Sequence, residues 1–167
     1  MLMFRNMVSN WFAQASSSYN DFIKSLLQGD LKAMNVYMNR VALTTFSCFD
    51  TGKRPSAEQQ PERFYHGFVL GLMVELEGRY VITSNRESGF GRYDVLLEPQ
   101  NKKDYAIILE FKVFDPDVET SLEDTVQKVL NQIEIKKYET VLLQKGIPAD
   151  RIRKYGFAFC GKDVLIG

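Results

Sequence analysis

The stretch GRYDVLLEPQNKKDYAIILEFK, residues 91–112, decides how this chain is read. Two apolar runs, Val95-Leu96-Leu97 and Ala106-Ile107-Ile108-Leu109, flank a polar turn from Glu98 to Lys103. Short apolar runs bounded by turn residues are the signature of neighbouring β-strands. Each run also carries charge where a buried strand should have none: Asp94 leads into the first, and Glu110 and Lys112 bracket Phe111 after the second. Residues two apart on a strand share a face, so Ala106, Ile108, Glu110 and Lys112 point the same way. A face that begins as core therefore ends as a carboxylate beside an amine. Burying an unpaired ion is costly, so these groups need partners. A divalent metal and a polyanionic substrate would be such partners.

Around this stretch lie 167 residues, enough for one fair-sized domain and an appendage. A content of 45% hydrophobic and 25% charged residues argues against disorder. The formal net charge is zero, so any nucleic-acid binding must come from a local patch. Lys128 to Lys154 holds seven basic residues against three acidic ones, a modest local excess that reads first as a solvated helix face. Cys48 and Cys160 are too few and too far apart for a disulfide framework or a zinc site. Aromatic neighbours make both read as small buried hydrophobes. No run approaches transmembrane length, and Met1-Leu2-Met3-Phe4 lacks the apolar core of a signal peptide. The expectation is a cytoplasmic protein without a membrane partner.

Residues 1 to about 50 read as helical. Met3, Phe4, Met7, Val8, Trp11 and Phe12 recur at helix spacing, and Ser16 to Tyr19 breaks the pattern. Phe22, Ile23, Leu26 and Leu27 mark a second helix; Met34, Tyr37, Met38 and Val41 mark a third, with Gly29-Asp30 between them. The abrupt amphipathic start suggests a fragment whose upstream part would cover apolar surface. Asp50 to Glu58 is the joint between a helical appendage (1–55) and the core domain (61–167). Pro61 to Glu77 forms one helix, apolar almost all round, with a small-residue groove at Gly67 and Gly71. Tyr80 to Ser84 is a short strand and Asn85 to Gly89 a polar turn or bulge. Ser121-Leu122-Glu123-Asp124 resembles a capping box, opening a helix that buries Leu122, Val126, Val129, Leu130 and Ile133. Thr125, Gln132 and Lys136 flank that stripe. Tyr155 to Cys160 and Val164 to Ile166 close the chain as a hairpin, so the order from residue 61 is αβββαββ.

Asp94 and Glu110, on adjacent strands, could converge on one hard cation. Magnesium takes oxygen ligands and retains several waters. Two carboxylates, the main-chain carbonyl of Phe111 and a scissile phosphate would suit it, and Lys112 could orient the attacking water or stabilise the reacting centre. Ser84, Arg86, Ser88 and Arg92 could bind phosphate, while Arg86 with Glu87 reads equally as a turn ion pair.

At Tyr93-Asp94, a spacer of fifteen, then Glu110-Phe111-Lys112, the chain resembles the PD-(D/E)XK nuclease superfamily, with Tyr93 in place of the proline. The phrases SNRESGFGRYDVLLEP, AIILEFKV and YGFAFCGKDVLI resemble more specifically the nuclease-like domain found behind a AAA-type ATPase domain in bacterial and archaeal proteins. MNVYMNRVALTTFSCFDTG resembles the helical connector of such proteins. The resemblance spans about Pro61 to Ile166. It implies an α/β, restriction-endonuclease-like αβββαβ core with a mixed central sheet, preceded by a helical region. It further implies that Asp94 and Glu110 bind Mg2+ or Mn2+, that Lys112 assists catalysis and that Gln132 reaches the site. For the carboxylate often contributed by the first core helix, Glu62, His66 and Glu75 compete. The chain has no G-x-x-x-x-G-K-[ST] motif, so an ATPase would have to be an upstream partner.

The function expected is thus metal-dependent hydrolysis of DNA. The alternatives are a weakly active or inactive nuclease fold that binds nucleic acid or a partner within a larger ATPase-linked protein, and a scaffold that forms homo-oligomers through its N-terminal helices.

Overall fold

The structure, a computed structural model, describes residues 16–46, 60–88 and 91–167. The side chains of 16–20, 45–46, 60–64, 85–88 and 91–93 lie outside that description, as do the first expected helix, the joint at 50–58 and Cys48. The helices are α1 (Ser16–Gln28), α2 (Leu31–Phe46), α3 (Gln60–Leu72), α4 (Leu122–Ile135) and α5 (Thr140–Gln144). The strands are β1 (Tyr80–Ser88), β2 (Gly91–Pro99), β3 (Ala106–Val113), β4 (Ile152–Cys160) and β5 (Asp163–Ile166). They form one five-stranded sheet in the order β1-β2-β3-β4-β5. Only β3 and β4 pair in parallel. A parallel pair needs a long crossover, and α4 with α5 provides it.

Strand parity sorts the core into two layers. Val95, Leu97, Ile107, Leu109 and Phe111 pack with α1, α2 and α3 in one cluster. Leu96, Ala106 and Ile108 pack with Val129, Ile133, Tyr138, Leu142 and Ile147 in the other. The face that carries Glu110 and Lys112 is therefore the α4 face. The mixed sheet with helices on both sides is the α/β, restriction-endonuclease-like architecture that the sequence implied, with N-terminal helices present.

Glycine sets the distance of α4 from the sheet. A Cβ at Gly156 would stand 3.0 Å from Val129 Cγ1 and 3.2 Å from the Val126 carbonyl oxygen. Gly156 is the register partner of Glu110, so α4 packs tightly on the sheet beside that carboxylate.

The N-terminal helices share the sheet's core. Phe22, Leu26, Met34, Met38 and Ala42 are fully buried in the same cluster as α3 and the strands. On α2, Asn35 donates to the Ile166 carbonyl (2.9 Å) and accepts from its N–H (2.8 Å). Asn39 does the same to Val164 (2.6 and 3.0 Å). Two amides one helical turn apart thus cover the main chain of edge strand β5. At Gly29 the chain turns with φ 77°, and Arg153 Nη1 donates to the Leu27 carbonyl at 2.6 Å, capping α1 from β4.

Several boundaries differ from the sequence reading. Ser16 to Tyr19, read as a break, lies within helix α1. Helix α3 stops at Leu72 and tightens into a 3₁₀ turn over Met73–Leu76, with Val74 and Glu75 exposed rather than buried. A Cβ at Gly67 or Gly71 would meet nothing within 4 Å, so close packing is not what calls for glycine at the expected groove. Strand β1 continues to Ser88 through the pairs Arg86↔Tyr93, Glu87↔Arg92 and Ser88↔Gly91, since main-chain pairing needs no apolar side chain. Cys160 is exposed, at the end of β4 where the chain turns out of the sheet. Ser121 does cap α4, accepting from the Asp124 N–H, but the Asp124 carboxylate takes the Thr120 N–H (3.0 Å) instead of closing the box on Ser121.

Candidate active site

Asp94 sits one residue past the end of the β2–β3 ladder. Strand β1 pairs with β2 at Ser84↔Val95 and again at Arg86↔Tyr93, and β2 pairs with β3 only from Val95↔Leu109 to Leu97↔Ile107. Both registers pass over Asp94, and side chains take over there. The Phe111 N–H donates to Asp94 Oδ2 at 2.8 Å, and the Asp94 N–H points to Glu110 Oε2 at 3.3 Å. Each carboxylate thus reaches across the parted strands to the main chain of the other. The main-chain carbonyl and N–H of one strand residue lie on the same edge, so the Phe111 carbonyl also lies on the β2 side.

Glu110 is 6% exposed, which makes its bonds decisive. Gln132 Nε2, on α4, donates to Glu110 Oε1 at 2.6 Å and lies 3.3 Å from the Tyr138 hydroxyl. Burial pushes the Tyr138 hydroxyl pKa up; the Gln132 bond opposes this, and the charges of Glu110 and Asp94 add to it. The sequence-expected trio of Asp94, Glu110 and Gln132 therefore meets at one place.

His66 arrives from the opposite face of the sheet, on α3. Its Nε2 lies 2.9 Å from Ser84 Oγ and 3.3 Å from the Asp94 main-chain oxygen, and its ring tilts against Phe111. It therefore meets Asp94 through the backbone. Glu75 is exposed on the 3₁₀ turn, and the Glu62 side chain lies outside the described residues. Arg86, Ser88 and Arg92 have described main chain on the β1–β2 hairpin just beyond Asp94, but their side chains also lie outside the description.

Lys112 leads to a residue that sequence reading missed. Its Nζ donates to Glu119 Oε1 at 2.6 Å, and Lys128 Nζ lies 3.3 Å from the same oxygen. Thr125 Oγ1 (2.6 Å) and the Asp115 N–H (3.0 Å) bond Oε2. The Glu119 side chain has no exposed surface. Burial alone would raise its pKa, but the bonds from Lys112, Thr125, the Asp115 N–H and Lys128 outweigh it and hold the carboxyl at about 2. The local sequence gave one signal: Thr125 is a polar residue at a position that turns inward with Val126 and Val129.

The donor set suits a hard divalent cation. Among the described residues no three His, Cys, Asp or Glu side chains cluster as metal ligands, so Asp94 and Glu110 are a pair. Magnesium characteristically takes one or two carboxylates and keeps waters or substrate oxygens for the rest. The Phe111 carbonyl, on the same edge, is a further oxygen in the right direction.

A mixed sheet whose central strands part over two acidic side chains, with a helix donating an amide to one of them, defines a restriction-endonuclease-like α/β domain. A family model described as the PD-(D/E)XK nuclease superfamily matches residues 60–167, and the chain belongs to that superfamily. No curated protein and no solved structure matches the chain. Among the described residues no helix is long and apolar enough to cross a membrane.

Proposed function

We propose that the domain is a metal-dependent nuclease that hydrolyses phosphodiester bonds of DNA. The observation that carries this reading is the crossed pair of bonds at the strand parting, where Asp94 and Glu110 each take a main-chain N–H from the other's strand. That arrangement fixes two carboxylates side by side without a ladder between them. Asp94, Glu110 and the Phe111 carbonyl would hold Mg2+ or Mn2+. When bound, such a cation neutralises charge on the phosphate and lowers the pKa of a bound water. Gln132 holds the Glu110 carboxylate in orientation, and His66 with Ser84 braces the Asp94 main chain. Lys112 places an ammonium on the face of Glu110, where it can stabilise charge that develops on the scissile phosphate. Arg86, Ser88 and Arg92 belong to the hairpin beyond Asp94 and would contact neighbouring phosphates. An upstream AAA-type ATPase partner, self-association through the N-terminal helices and a cytoplasmic setting complete the reading.

The test is cleavage of linear and supercoiled DNA with magnesium or manganese, beside titration calorimetry with manganese alone. Wild-type protein should cut; Asp94→Ala and Lys112→Ala should not. Manganese heat should disappear in Asp94→Ala and persist in Lys112→Ala. Cleavage that survives in both variants would sink the assignment.

A further inference from the structure

We propose that Glu119 is a positioning residue that fixes the Lys112 ammonium for phosphodiester cleavage, an inference that rests on the nuclease reading above. Glu119 lies in the connection between β3 and α4, and nothing in the superfamily match assigns it a role. A glutamate is rarely fully buried, because its charge must be compensated. Here compensation is complete: one carboxylate receives the ammonium groups of Lys112 and Lys128, the Thr125 hydroxyl and the Asp115 N–H. Thr125 and the Asp115 N–H hold one oxygen, so the other is fixed in direction and presented to the lysines.

The asymmetry of exposure says which way this clamp works. The Glu119 side chain has 0% of its surface exposed, while those of Lys112 and Lys128 have 36% and 44%. The negative group is hidden behind two half-exposed cations, so solvent, or a phosphate, meets net positive charge. A lysine has four rotatable side-chain bonds and would otherwise sample many positions. Anchoring its Nζ on a carboxylate that is itself anchored removes that freedom before substrate arrives. The anchor belongs to the loop after β3 and the first turns of α4, the helix that also carries Gln132. The two side chains that flank Glu110 are thereby set by one element.

The test joins a kinetic and a chemical readout on the full chain. Acylation of Lys112 by an amine-reactive succinimidyl ester, read by mass spectrometry without metal or DNA, should rise severalfold in Glu119→Gln. With magnesium and DNA, the same variant should lose about ten- to a hundred-fold in kcat with KM within about twofold. Glu119→Asp should recover part of it. If Glu119→Gln fails to fold by circular dichroism, Thr125→Val, which removes one bond to Glu119 and leaves Lys112 in place, should give smaller changes of the same sign. Wild-type kcat or unchanged Lys112 acylation in the folded variant overturns the proposal. Wild-type protein that leaves DNA intact overturns the nuclease reading instead, and acylation then still decides whether Glu119 fixes Lys112.

Discussion

At the β5 edge, Asn35 and Asn39 take the N–H and the carbonyl of Ile166 and Val164; at the parting of β2 and β3, Asp94 and Glu110 take the N–H groups of Phe111 and Asp94. In both regions side chains stand where a strand would otherwise pair, yet the chemistry is opposite. A carboxamide carries a donor and an acceptor, so it matches a peptide group atom for atom and leaves no charge. An ionised carboxylate only accepts, so it can satisfy an N–H while its charge remains for another partner. The first substitution closes an edge that could recruit foreign strands. The second leaves a negatively charged opening in the middle of the sheet. The same departure from regular pairing is thus structural at one place and chemical at the other.

The sharpest break of this contrast is Asp94→Asn. An amide oxygen can still accept from the Phe111 N–H, so stability should stay within about 1 kcal/mol of wild type by urea denaturation. Cleavage should fall about a thousand-fold or more, since a neutral amide is a poor magnesium ligand. A large loss of stability would show that the charge at the opening is structural after all.

The converse is the double change Asn35→Ala with Asn39→Ala. Four hydrogen bonds to the β5 main chain disappear, and at about 1 kcal/mol each, partly offset by water, the expected loss is roughly 3 kcal/mol in urea. Activity per folded molecule should hold, and light scattering should report self-association through the uncovered edge. Lost activity in the folded fraction would mean that the N-terminal helices reach the site.

The two regions were not equally legible in sequence. Asp94, Glu110 and Lys112 broke an apolar period, and strand parity alone put the last two on the face of Ala106 and Ile108. Gln132 was singled out by the resemblance, and its place beside the stripe of its own helix, shared with Thr125 and Lys136, only agreed with it. Asn35 and Asn39 carried no such signal: their partners lie 131 and 125 residues away. Asparagine at helix spacing is at most a hint, since it competes with the helix backbone unless it bonds elsewhere. Glu119 was hidden for a related reason. It follows Asp115-Pro116 in a polar turn, where an acidic residue reads as solvated, and only the approach of Lys112, Lys128 and Thr125 makes it a buried centre. Strand β1 was cut short because polarity marks a turn only when main-chain partners are absent, and here residues 91–93 provide them.

Glu119 stands between the two extremes, because its charge is fully answered inside the protein. Its folded pKa of about 2 lies below the ordinary 4.5, so it contributes stability above the unfolded value that is lost as pH falls toward the folded one. Roughly 2 kcal/mol of that contribution should be gone by about pH 3. Urea denaturation of wild type and Glu119→Gln across this range should show the gap between them narrowing as the solution is acidified. A gap that stays constant would mean that the ion pairs at Glu119 contribute little to the fold.

The smallest effect expected tests the opening from its rim. Gln132 bonds Glu110 through a neutral amide, as Asn35 and Asn39 bond β5, but its acceptor is a charged oxygen rather than a peptide. Gln132→Ala should therefore lower cleavage about tenfold, the scale for a residue that orients a metal ligand, and cost about 1 kcal/mol of stability, since the buried Glu110 carboxylate loses a bond. Manganese affinity should weaken in parallel, because the carboxylate that Gln132 orients would have more freedom. If melting falls and manganese affinity does not, Gln132 belongs with the asparagines as a structural amide, and the division between closed edge and charged opening must be redrawn one residue further in.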